Sequence, residues 1–259
     1  MQSVYLPLVE INQEDNLIRF RYDPTLLGQF PNIVGGVILL QNVVNTPSPA
    51  QLIVAYHGEQ SLIKHRIGDT PLSELPSLSA WRSTFSAFGI PPTKYRNAAE
   101  ALLRRLTKKG DIPSINMLVD IGNLISIRYA LPVAIFDIRE LIGSLTVRFA
   151  TGTERFTELG SDEIAHPEVG EVIFTDDSGL VFARRWCWKQ SHQSAASLDS
   201  HDLLFTIEAQ HESGSTDIKH AISDLQSLLK TYTGATYPSA ILTSNHPTFS
   251  TDENDDLSS

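Results

Sequence analysis

The spacing of apolar positions changes along the chain, and the change marks out the expected elements. Residues 34–40 (VGGVILL) and 52–56 (LIVAY) are short apolar runs bounded by Gly, Pro and polar residues, the pattern of buried strands. NTPSP (45–49) between them predicts a loop. Leu72, Leu75, Leu78, Trp81, Phe85 and Phe88 then recur at three- or four-residue steps, which is one apolar face of a helix. Pro76 either kinks that helix or marks its start, and Gly89 with Pro91-Pro92 ends it. Asn97 as N-cap with Glu100 three residues on predicts a helix over Ala98–Lys109, closed by a basic last turn and Gly110. Ile115, Leu118, Val119, Ile121, Leu124, Ile125 and Ile127 give a wide apolar face to a second helix over about 114–129, with Pro132 beyond its end.

From 133 the period shortens. VAIF (133–136), SLTVRFA (144–150), ERFTEL (154–159), EVIFTD (171–176), LVFARRW (180–186) and LLFTIEA (203–209) read as strands, with DDSG (176–179) as a hairpin turn. Ile218, Ile222, Leu225, Leu228 and Leu229 make 216–231 a closing amphipathic helix. Residues 239–259 are rich in Ser, Thr, Asn and Asp and are expected to form a disordered acidic tail. The expected class is α+β, with helices packed on a largely antiparallel sheet, in a single domain over 1–238.

Charge changes this picture. The 259 residues carry a net −10, which argues against indiscriminate binding to nucleic acid. The charge is segregated, however. DENDD (252–256) holds four acids, and 154–177 holds eight acids against Arg155 alone. The segment 94–109 is the reverse: Lys94, Arg96, Arg104, Arg105, Lys108 and Lys109 face only Glu100. Adjacent Arg104 and Arg105 cannot share a helical direction with every other cation, so part of this set is expected to meet one ligand.

The usual signatures of chemistry are missing. The eight histidines form no HExxH pair. VGG (34–36) lacks the Lys-Ser/Thr sequel of a phosphate cradle, and no GxSxG elbow occurs. No metal and no cofactor is expected. The one cysteine, Cys187, excludes an internal disulfide and reads as a half-buried small hydrophobe. No apolar run approaches the roughly 20 residues of a membrane span, and the first residues lack a basic segment before an apolar one. A cytoplasmic protein with no membrane or DNA partner is expected.

Residues 184–190 (RRWCWKQ) hold two of the three tryptophans and three cations. As a strand they would place Arg184, Trp186, Trp188 and Gln190 on one side and Arg185, Cys187 and Lys189 on the other. Two rings with an Arg and a Gln could stack a base and hydrogen-bond its edge. The alternative is a strand whose tryptophans pack inward while its charges reach water, with Arg184 and Arg185 paired to acids of 154–177.

The run DIPSINMLVDIGNLISIRYALPVAIFDIREL (111–141), followed by SLTVRFATGTERFTELG (144–160) and GEVIFTDDSGLVFARRW (170–186), resembles the B3/4 domain. That domain occurs in the beta subunit of bacterial phenylalanyl-tRNA synthetase, where it hydrolyses mischarged tyrosyl-tRNA. The order of motifs carries the resemblance: Val119, Asp120 and Asn123 on a helix, then Pro132, Phe136 and Asp137 in a Pro-x-x-x-Phe-Asp turn, then the strands. KYRNAAEALLRRL (94–106) and RRWCWKQ are similar to free-standing B3/4-domain proteins. The best-matching part is 94–210, after an N-terminal part of 1–93 and before the closing helix.

The resemblance implies an RNA-linked protein that hydrolyses the ester of a mischarged tRNA. Asn123 and Asp137 are the implied catalytic residues, and Asp120 is a further orienting carboxylate. Arg184, Arg185, Trp186, Trp188, Gln190, Lys94, Arg96, Arg104 and Arg105 are the candidates for binding substrate or RNA. The implied partner is tRNA or aminoacyl-tRNA. The chain departs from the editing pattern at three places. Ala134 stands where the synthetase has a histidine, its glutamate falls near Ser191, and Pro113 replaces an arginine. These departures favour a second reading, a non-catalytic module for RNA or a small amino-acid-like ligand. A scaffold without a ligand is the third.

Overall fold

The computed structural model describes residues 18–251. In chain order it holds β1 (Arg19–Tyr22), α1 (Pro24–Gln29), β2 (Val34–Leu40), α2 (Ala50–Ile67), a 3-10 turn (Leu72–Glu74), α3 (Pro76–Ala87), α4 (Ala98–Lys109) and α5 (Met117–Tyr129). There follow β3 (Val133–Asp137), β4 (Ser144–Phe149), β5 (Phe156–Thr157), β6 (Ile164–Ala165), β7 (Val172–Thr175), β8 (Val181–Arg184) and β9 (Lys189–Gln190). β10 (Leu203–Ala209), α6 (Gly214–Thr233), β11 (Ser239–Leu242) and β12 (Thr248–Ser250) close the fold.

The α+β class is confirmed. One sheet has the order β12-β1-β4-β7-β8-β9, a second β11-β2-β10-β3, and β5 pairs with β6. Every pairing between strands is antiparallel except β1 with β4. Three layers result. Alternate residues of β2 face opposite ways: Ile38 and Leu40 join the core under α2, α4, α5 and α6, while Val37 and Leu39 join the core between the sheets. A strand covered on both faces is largely apolar, which is why VGGVILL reads as a near-continuous run. Each fully buried large side chain contributes roughly 1.5–3 kcal/mol to this packing.

Two expectations are corrected. Residues 52–56 lie inside α2 rather than in a strand. Leu52, Tyr56, Gln60, Ile63 and Ile67 are buried while Val54 is exposed, so the period is helical once the window extends past the apolar run. The tail from 239 is also ordered as far as 251. β11 lies along β2, and β12 along β1, with Leu242 and Phe249 buried as anchors. A strand that completes a sheet edge gains backbone hydrogen bonds and needs only one or two apolar anchors, so its polar composition misleads. The acidic 252–256 lies outside the described residues. A smaller difference concerns 154–159, where only Phe156–Thr157 forms a strand.

Candidate nucleic-acid interface

α4 forms where its caps predict. Asn97 Oδ1 accepts from the Glu100 N–H at 2.9 Å, and Gly110 takes the left-handed conformation (φ 92°) that ends the helix. Ala99, Leu103 and Leu106 are buried against the helical layer. Ala101, Arg104, Arg105 and Lys108 fall at i, i+3, i+4 and i+7 on the opposite side and are exposed. Arg104 and Arg105 therefore border the same surface, because a helical face is wide enough to take adjacent residues.

The 184–190 segment is not one strand. β8 ends at Arg184, and Arg185 (φ 47°) and Trp186 (φ 57°) are both left-handed before β9 begins at Lys189. Two successive non-glycine residues in that region carry strain that surrounding contacts must hold. The Trp186 N–H donates to Val172 O (2.6 Å) and the Arg185 N–H to Glu171 Oε1 (2.9 Å). The Ala98 N–H donates to Cys187 O at 2.8 Å, which ties this turn to the start of α4.

The turn sends the two tryptophans opposite ways, against the shared face expected of them. Trp186 is fully buried, edge-on to Trp81 and Phe30 with centroids 5.2 Å away, and its Nε1 donates to Glu208 Oε1 at 3.0 Å. It cannot stack on a ligand. Trp188 is half-buried and packs edge-on against Tyr95 at 4.9 Å. The Arg185 guanidinium lies 4.0 Å from the Tyr95 centroid and 4.6 Å from that of Trp188, and Lys189 lies 5.2 Å from Trp188. Trp188 thus joins α4 at a concavity of about 400 Å³, lined also by Lys94, Arg96, Ala101, Arg104, Arg105, Lys108 and Lys109, with no acid among them.

The other sequence candidates are engaged elsewhere. Arg184 makes a two-point contact with Glu171, Nε to Oε1 and Nη2 to Oε2, both at 2.9 Å. These hydrogen bonds raise its pKa further. Arg185 stands 3.8 Å from the same carboxylate. Gln190 Nε2 donates to Ile135 O (2.7 Å) and Ser194 O (2.6 Å). Burial alone would raise the Asp137 pKa, but hydrogen bonds from Arg139 and Ser200 outweigh it and hold the carboxyl below its ordinary value. Asp137 so engaged fixes its own turn. Asp120, fully buried, accepts from Ser48 Oγ (2.5 Å), Ser114 Oγ and the Ile115 N–H (2.9 Å), tying two loops to α5. Asn123 lies on the same helix beside the phenol of Tyr56, whose pKa is raised by burial and by Asp120. Burial and the nearby Glu208 charge push the Cys187 thiol well up, away from the thiolate a nucleophile needs.

Tyr95 and Glu208 were missed by sequence reasoning, and Glu171 was anticipated only as one of the acids of 154–177. Glu208 left a signal, as an acid inside the largely apolar run LLFTIEA. Among the described residues no group of three or more His, Cys, Asp and Glu side chains could hold a metal. No helix among them is long and apolar enough to cross a membrane.

A family model described as the B3/4 domain matches residues 80–229, from within α3 to within α6. The phenylalanine–tRNA ligase beta subunit of Shewanella oneidensis is 33% identical over 76 residues, covering 29% of this chain and 10% of that protein. The chain therefore spans about a tenth of that curated relative. The crystal structure of an N-terminal fragment of the phenylalanyl-tRNA synthetase beta subunit from Pyrococcus horikoshii aligns over 91% of this chain and 55% of that one, with a TM-score of 0.44 and 11% identity.

Proposed function

The chain belongs to the B3/4 domain family, and from that premise we propose that it is an RNA-linked protein that binds the aminoacylated end of a tRNA. The observation that carries this reading is the acid-free concavity on α4, where six cations surround one accessible tryptophan ring. The cations neutralise backbone phosphates and the ring stacks an unpaired base, the combination that single-stranded RNA ends call for. The net charge of −10 confines binding to this face.

The finer reading is hydrolysis of a mischarged ester, which the resemblance to the editing domain supplies. Asn123 is its remaining candidate for orienting water or a substrate carbonyl. Asp137 and Asp120 are committed to turn and loop contacts, which favours binding over turnover. Binding of uncharged tRNA, a panel of mischarged tRNAs and free amino acids, with ester loss followed in parallel, tests both readings. Binding of tRNA without ester loss above buffer supports the binding module. Ester loss that falls on Asn123→Ala replaces it with the hydrolase. Failure to bind any tRNA overturns the proposal, and binding of a free amino acid alone puts the small-ligand module in its place.

A further inference from the structure

A second concavity, of about 430 Å³, lies between the 67–73 loop, α3 and α4. Glu100 of α4 lines it and is only 4% exposed. Its Oε1 accepts from Arg82 Nη1 at 2.7 Å and lies 3.6 Å from Arg96 Nε. Its Oε2 is buried and has no hydrogen-bond partner among the described residues, and Arg96 Nε likewise lacks an acceptor. A buried carboxylate oxygen with no donor carries a desolvation cost that a ligand N–H or O–H would remove.

The charges around it add a second requirement. Arg82, Arg96, Arg104 and Lys108 line the groove against Asp69 and Glu100. A ligand that suits both features offers a hydrogen-bond donor to Glu100 and a negative group to the surplus cations. Inorganic phosphate, whose P–O–H can also donate, meets both needs but fills little of the 430 Å³ hollow, and an uncharged nucleoside meets only the first need. Arg96, Arg104 and Lys108 also line the concavity that holds Trp188, so one strand can touch both hollows.

We propose that this groove takes a single ribonucleotide of the bound RNA. A ribose hydroxyl or an exocyclic amino group donates to Glu100 Oε2, and the phosphate meets Arg104 and Lys108. Carboxylates accept from such groups in many nucleotide sites, and the volume lies within the range of small-ligand pockets. The inference rests on the RNA reading above and deepens it by naming the unit recognised.

The test is titration of the full chain with AMP and CMP, and with inorganic phosphate and adenosine alone, followed by backbone amide shifts and calorimetry. Binding of tRNA is measured on the same samples. The expected result is shifts at the 67–73 loop and at the start of α4. A nucleotide should bind at least about tenfold tighter than either half, with about tenfold loss in Glu100→Gln, which presents an amide donor where the acceptor was. Should that variant not fold, the amide map of the wild type decides alone. If tRNA binds while AMP and CMP leave these amides unmoved, or if inorganic phosphate binds as tightly as the nucleotides, the groove proposal is overturned and the RNA reading stands. If neither tRNA nor nucleotide binds, both fall.

Discussion

Arg185 holds its guanidinium 4.0 Å from the centre of the Tyr95 ring, joining the turn after β8 to the loop before α4. The same guanidinium reaches Trp188 at 4.6 Å and Glu171 at 3.8 Å. A buried acid, an arginine and the Tyr95 ring thus fix where Trp188 sits. Its ring is a preset platform beside the α4 cations, and holding it ready lowers the cost of ordering on binding.

Trp188→Ala should weaken binding of a tRNA end by about 1–3 kcal/mol, the usual worth of one stacked base, with little change in melting temperature. Trp186→Ala should do the opposite. It empties a fully buried site and removes one of the two donors to Glu208, so it should cost about 3–5 kcal/mol of stability. Filter binding and thermal melts on both variants check this. Equal loss of stability in the two would refute the split between platform and core.

The α4 cations predict a salt dependence. Arg105 and Lys109 line the concavity, and Arg105 has a loose surface partner, Asp111 at 3.9 Å. Replacing both by Ala should lower the slope of log K against log salt by about 0.7–0.9 for each lost phosphate contact. A slope identical to that of the wild type would show that RNA does not lie on this face.

Features set by neighbours in the chain were legible beforehand. The Asn97 cap and Gly110 are local, and α4 appears with the expected bounds. The DDSG turn likewise closes β7 onto β8. Features decided across the fold were not legible. Trp186 turns inward because Glu208 and the Phe30–Trp81 cluster receive it, and none of those residues lies within twenty positions. That Arg184 and Arg185 would pair with acids of 154–177 was one of two readings of the sequence, and the fold selects Glu171, just before β7, as the acid. Glu100 was legible from its place three residues after the Asn97 cap, whereas its carboxylate is turned to Arg82 of α3 instead of closing the capping pair.

Gly35 should resist any side chain. It pairs across the strands with Glu208, and a Cβ there would overlap the hydroxyl of Tyr22. Gly35→Ala should therefore push the Tyr22 ring off Glu208 and destabilise the protein by about 1–3 kcal/mol. Gly58→Ala is the control, since no atom lies within 4 Å of a Cβ built there and the residue sits inside α2. Replacing a helix-interior glycine should stabilise by up to about 1 kcal/mol. Chemical denaturation separates the two, and a neutral Gly35→Ala would contradict the packing described.

Glu208 makes stability depend on pH. On β10, residues 203, 205 and 207 face the helices, so 208 faces the core between the sheets. Burial raises its pKa from 4.5 to about 7, while hydrogen bonds from Trp186 Nε1 and Tyr22 Oη pull the other way. The folded state thus holds the proton more tightly than the unfolded chain. Protonation of Glu208 favours folding fully below the unfolded value of 4.5, and the benefit is lost as pH rises through about 7. Glu208→Gln is neutral throughout and keeps a carbonyl oxygen for both donors. Relative to wild type it should be nearly neutral close to pH 4.5 and gain roughly 3 kcal/mol by pH 8. Other titrating groups are common to both proteins, so the difference in urea-unfolding free energy isolates this carboxyl. Parallel stability profiles for the two proteins between pH 5 and 8 would show that Glu208 keeps an ordinary pKa in the fold.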